Sequence, residues 1–110
     1  MSNIMEKKID LFYDDMNTLL KDYKFKEYCN EDDYNNIVSS LLHELQTLLK
    51  NTFNNKILDL IGFEFKKISC RIYIHLVNKR TGQYIYNKED FKKAIEIPLE
   101  ITINFKSNEE

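Results

Sequence analysis

The chain has 110 residues, 43% of them hydrophobic and 13% aromatic, with a formal net charge of −2. That length suits a single domain spanning 1–110, and the apolar content excludes an intrinsically disordered polymer. Two glycines and one proline leave no linker or repeat, and the near-neutral balance argues against a strongly basic nucleic-acid footprint.

The charge is unevenly spread. Residues 1–50 hold ten acids and six lysines, net −4, whereas residues 51–110 hold eight acids and ten bases, net +2. Lys, Asn and Ile are abundant and Lys outnumbers Arg, the pattern of an AT-rich gene such as those of low-GC bacteria and their phages. No run reaches the roughly 18 apolar residues of a membrane span. Glu6, Lys7, Lys8 and Asp10 interrupt any leader-like apolar stretch. The two cysteines, Cys29 and Cys70, are far apart and are expected to be free thiols in a cytoplasmic protein.

The first helix is predicted over about residues 4–23, where Met5, Ile9, Phe12, Met16, Leu19, Leu20 and Tyr23 recur at three- and four-residue steps. Residues 24–30 lose the period. Asn30 is a candidate N-cap, and Glu31, Asp32 and Asp33 fill a first turn where negative charge suits the helix dipole. Tyr34, Ile37, Val38, Leu41, Leu42, Leu45, Leu48 and Leu49 then define the second helix. Residues 53–62 fit either a helical continuation or an extra strand.

From Phe63 the period becomes two. Ile68, Cys70, Ile72, Ile74 and Leu76 alternate with Ser69, Arg71, Tyr73, His75 and Val77, and Phe63 and Phe65 lie in the opposite phase. A bulge or turn is therefore predicted at Lys66-Lys67. Lys79-Arg80-Thr81-Gly82 reads as a turn, and Gln83–Asn87 as a short strand. Lys88–Lys93 has space for one helical turn. Residues 94–105 read as a last strand, apolar at every odd position from Ile95 to Phe105, with Pro98 marking a sheet edge or bulge. The expected class is α+β, ordered α-α-β-β-β, with two N-terminal helices on one face of an antiparallel sheet of about three strands.

Three features carry candidate chemistry. Asp10, Asp14 and Asp15 on the first helix, with Glu31, Asp32 and Asp33 opening the second, form an acidic helical region, as one patch or as two if the helices are antiparallel neighbours, suited to a basic protein partner. A solvated face and a dipole-favoured helix start account for the same acids. Arg71, Tyr73 and His75 point together from one strand face, with Tyr84 and Tyr86 on the next strand and Lys66, Lys67, Lys79, Arg80, Lys92 and Lys93 around them. Aromatic and basic residues on a sheet can stack single-stranded nucleic acid. Ordinary cross-strand pairs explain the pattern too, and a one-residue slip would bury both tyrosines. Ser39 and His43 lie four apart on helix two, but a mid-helix serine lacks the exposed elbow of a hydrolase nucleophile.

His43, His75, Cys29 and Cys70 form no metal-ligand spacing, and Gly62 and Gly82 stand alone, so neither metal nor cofactor is expected. The sequence thus points to a small non-catalytic cytoplasmic binding protein, most simply an inhibitor that masks another macromolecule, as toxin-immunity or phage anti-defence proteins do. The alternatives are a single-stranded nucleic-acid module using the outer sheet face and a structural subunit that dimerises through a sheet edge.

Overall fold

The computed structural model describes residues 2–23 and 29–96. It is an α+β protein: α1 (Ser2–Lys21), α2 (Glu31–Thr52), a 3-10 helix (Asn55–Asp59), β1 (Ile61–Ile68), β2 (Arg71–Asn78), β3 (Tyr84–Ile85) and α3 (Lys88–Ile95). The three strands form one antiparallel sheet in the order β1-β2-β3.

Asparagines start three of these elements. The Asn30 carboxamide oxygen accepts from the N–H groups of Asp32 (2.8 Å) and Asp33 (3.3 Å), so the expected cap of α2 is present. Asn54 does the same for Lys56 N–H, and Asn87 for Asp90 N–H at 2.8 Å. The Asp90 carboxylate in turn accepts from Tyr86 N–H. The region left open between helix and strand resolves into an end of α2 at Thr52, the 3-10 turn, and a strand from Ile61.

The hairpin turn falls at Ser69-Cys70, with Ile68 opposite Arg71. Ser69 has φ of 59°, the left-handed conformation at the first central position that a two-residue hairpin loop of the II′ kind requires. This corrects the expected break at Lys66-Lys67. Those lysines are ordinary β1 residues opposite Ile72 and Tyr73, and the change of phase is made by the turn itself. It also corrects two assignments: Ile68 belongs to the outer face and is 57% exposed, and Cys70 sits in the turn rather than on a strand. Gly82, at φ 76°, closes the β2–β3 turn, its N–H donating to Asn78.

The core lies between the helices and one sheet face. Ile9, Phe12 and Met16 come from α1, and Leu41, Leu45 and Leu49 from α2. Ile57, Ile61, Leu76, Ile85, Phe91 and Ala94 complete it, and among the described residues every fully buried residue is hydrophobic. Phe91 gathers Phe12 (5.5 Å between ring centroids), Phe53 (5.7 Å) and Tyr13 (5.8 Å). The contacts of Phe12 and Phe53 with one ring, and of the Tyr23 hydroxyl with Glu44, make α1 and α2 antiparallel.

α3 runs eight residues rather than one turn, and so takes Ala94 and Ile95 from the strand expected over 94–105. The remainder of that strand, from 97 on, lies outside the described residues. The Arg80 guanidinium donates to the carbonyls of Lys93 (3.0 Å), Ala94 (2.8 Å) and Glu96 (2.8 Å), satisfying helix-end acceptors and tying α3 to the β2–β3 turn.

Cys29 and Cys70 form a disulfide with 4.6 Å between Cα atoms, which corrects the expectation of free thiols. The hairpin places Cys70 at its tip, and the tip meets the residue just before α2. Lys67 holds the same junction, donating to the Cys29 carbonyl and lying 5.6 Å over the Tyr34 ring. Closing a loop with a sequence separation of 41 stabilises the fold by about 4 kcal/mol on the chain-entropy account. Reduction, or the Cys29→Ser/Cys70→Ser double replacement, is expected to lower the urea midpoint by a corresponding amount. Equal midpoints for reduced and oxidised protein would show that the pair is not bonded in solution.

Candidate interaction surface

The register of the hairpin distributes side chains between two faces. Phe63, Phe65, Ile72, Ile74 and Leu76 share the helix-covered face, while Glu64, Lys66, Ile68, Arg71, Tyr73 and His75 share the other. Val77 lies opposite Tyr84, which puts Tyr84 on this outer face and Ile85 in the core. The slip that would have buried Tyr84 does not occur.

The outer face is partly organised by its own contacts. His75 and Tyr84 stack in parallel at 4.5 Å with an interplanar angle of 3°. The Tyr84 hydroxyl donates to Glu64 at 2.7 Å, and Tyr86 meets the Tyr84 ring edge-on at 6.1 Å. Lys66 lies 5.2 Å over the Tyr84 ring and 3.8 Å from Glu64. Its ammonium is pushed up in pKa, first by the Tyr84 phenol and less by Glu64. Tyr86 is 77% exposed; beyond this group Tyr73 is 45% exposed, with Ile68 and Arg71 beside the hairpin tip.

The expected basic surround is dispersed. Lys67 has the parity of the opposite face and serves the α2 junction. Lys79 donates to the Leu58 carbonyl at 2.6 Å, Arg80 holds α3, and Lys92 pairs with Glu6 at 3.5 Å. Of the five residues proposed for this face, Lys66, Arg71, Tyr73 and His75 are brought together and Lys67 is not. Ile68 and Glu64 belong to the face and were not singled out. The signal that finds them is the parity change imposed by a two-residue loop.

The acidic residues divide. Asp10 pairs with Lys88 at 2.9 Å, and that contact with Asp10 pushes the Lys88 ammonium up in pKa. Asp15 borders a shallow groove with Leu19, His43 and Leu48, whereas Glu31, Asp32 and Asp33 sit at the start of α2, about 25 Å away along that helix from Leu48. Asp10, Asp14 and Asp15 therefore do not share one patch with Glu31, Asp32 and Asp33. Ser39 and His43 are both exposed on α2. Among the described residues no group of three or more His, Cys, Asp or Glu could hold a metal ion, and no helix is long and apolar enough to cross a membrane.

No protein family, no curated protein and no solved structure matches the chain.

Tyr13 is the most perturbed titratable group, and it belongs to the core rather than to the surface. Its hydroxyl is buried without a partner, and its pKa is pushed up to about 12, by burial first and by Asp90 second. A phenol whose folded pKa lies above its ordinary value of 10.0 contributes stability that is complete below that value. The contribution falls as pH rises through about 12. Tyr13→Phe is expected to flatten the alkaline loss of stability in this window, measured as urea midpoint against pH. An identical pH profile for the variant would overturn the assignment.

Proposed function

We propose that this chain is a non-catalytic binding protein that masks another protein, and that the outer face of its sheet is the contact surface. The observation that carries the reading is the grouping of Tyr73, Arg71 and Ile68 on the face away from the helices, with Tyr73 and Ile68 both well exposed. Tyrosine and arginine beside an apolar side chain are the residue types that dominate protein interfaces, because they desolvate large areas at small entropic cost. Size and composition suit an inhibitor of the toxin-immunity or phage anti-defence kind, by analogy. The cytoplasmic setting in that reading now has to accommodate the Cys29–Cys70 disulfide, which a reducing thiol pool opposes. Thiol trapping in intact cells reads it directly: a fully reduced pair supports the cytoplasm, and a fully oxidised pair argues for an oxidising compartment.

The acidic helical residues are the competing surface for a basic partner, and their separation and the Asp10–Lys88 pair count against them. A single-stranded nucleic-acid reading is favoured by one observation, the aromatic group His75, Tyr84 and Tyr86 beside Lys66. Against it, Glu64 lies within the same group, and Lys67, Lys79 and Arg80 hold structural contacts. A homodimer through a sheet edge would show a doubled mass by light scattering.

The Arg71→Ala/Tyr73→Ala double variant tests the proposal. It should keep the wild-type urea midpoint and weaken binding to the partner purified with the wild-type chain by at least about tenfold. Charge reversal at Asp14, Asp15, Asp32 and Asp33 should change that affinity less. Equal binding by the sheet variant, with loss on charge reversal, would transfer the function to the helices. Salt-dependent binding of a single-stranded oligonucleotide, abolished by the sheet variant, would establish the nucleic-acid reading instead.

A further inference from the structure

The sheet has an asymmetry that the docking proposal does not use. β2 is paired with β1 along all eight residues, but on its other side, among the described residues, only Leu76 and Val77 are paired, to the two residues of β3. Among the described residues, Arg71–His75 face no strand on that side. Within the described part of the sheet, their outward N–H and C=O groups make an edge of the kind that accepts another strand. Beside this edge, on the helix-covered side, lies a groove of about 460 Å³ whose apolar lining comes from Leu20, Tyr23, Leu41, Ile72 and Ile74. An open backbone edge above an apolar groove calls for an extended segment with one apolar face.

This chain contains such a segment. Residues 97–105 read Ile-Pro-Leu-Glu-Ile-Thr-Ile-Asn-Phe, apolar at every odd position. The segment also starts in a suitable place. The preceding residue, Glu96, is held through its carbonyl by Arg80 in the β2–β3 turn, at the end of β2 from which a strand could run back along it. Nine extended residues reach about 30 Å, whereas the five open positions of β2 span about 17 Å, which leaves enough chain to pass the two residues of β3.

We propose that residues 97–105 fill this groove as a fourth strand, antiparallel to β2 along Arg71–His75. Side-chain parity then selects the register, because directly opposed residues share a face. Ile101 must lie opposite Ile74 and Ile103 opposite Ile72, so that both enter the groove. Glu100, Thr102 and Asn104 then stand beside His75, Tyr73 and Arg71 on the outer face. Pro98, which has no N–H to donate, falls before the open positions begin. The next register of the same parity would set Lys106 against Arg71, a like-charge pair that costs stability. The proposal stands independently of the docking face, although it would place one further acid beside it.

The test uses the full chain. In the Tyr73→Cys/Thr102→Cys variant, oxidation should join the two new positions within one molecule. The product should be a monomer on non-reducing gels, with the linkage confirmed by peptide mass. The Tyr73→Cys/Ile103→Cys variant, with opposite parity, should not cross-link. Independently, in the unmodified chain the alternate amides of residues 71–75 that face away from β1 should exchange slowly, and Ile103→Asp should accelerate them by about 100-fold while the β1-facing amides stay protected. A cross-linked dimer would assign the groove to a second copy and overturn the proposal. So would fast exchange of these amides in the unmodified chain, which would leave the edge open to a foreign strand.

Discussion

A hairpin that reverses in two residues pairs odd positions of one strand with even positions of the next. In this protein the Ser69-Cys70 turn does so, and much of the structure follows from it. It sends Phe63 and Phe65 to the same side as Ile72, Ile74 and Leu76, which gives the sheet one apolar face for the helices. It sends Lys66, Ile68, Arg71, Tyr73 and His75 to the other. Because a strand's side-chain period is two, lengthening or shortening the loop by one residue would exchange the faces of one strand relative to the other. The left-handed backbone at Ser69 is the local cost of this arrangement, small beside the burial it permits.

The opposite end of the sheet is held by different chemistry. Phe91 brings together rings from α1 and from the residue that ends α2, and such ring pairs add roughly 0.5–1.5 kcal/mol each beyond their buried area. Arg80 ties the same helix to the β2–β3 turn through three carbonyls. A short helix of eight residues is marginal alone, so α3 depends on these contacts more than on propensity. The two anchors lie apart from the outer face of the sheet, whose own contacts are the His75–Tyr84 stack and the Tyr84–Glu64 hydrogen bond.

The helices were legible because their stripes are long and their caps are explicit. Asn30 followed by three acids marks a helix start that tertiary contacts had no reason to override. The class and the outward grouping of Arg71, Tyr73 and His75 were legible from alternation alone. The turn was not, because Ser-Cys lacks the Asn-Gly or Asp-Gly chemistry that advertises a tight hairpin, whereas Lys66-Lys67 interrupts the apolar rhythm and drew the break to itself. The length of α3 was hidden because Ala94 and Ile95 satisfy a helical and an alternating pattern equally, and Arg80 is distant in sequence from the carbonyls that decide between them. The disulfide was hidden for the same reason as the turn. Only when Cys70 stands at the hairpin tip does it come within bonding distance of Cys29, and no spacing in the sequence announces that. The outward positions of the sheet were therefore legible in β2 and incompletely so in β1.

The Cys29–Cys70 bond has a topological consequence as well as an energetic one. It turns the stretch from residue 29 to residue 70 into a covalent ring, and α2, the 3-10 helix and β1 all lie inside that ring. A single cut at any peptide bond between the two cysteines leaves the molecule in one piece. Both halves of the hairpin, and the helix that packs against them, would stay tethered after such a nick, and the break would become visible as two fragments only once the sulfur–sulfur bond was opened.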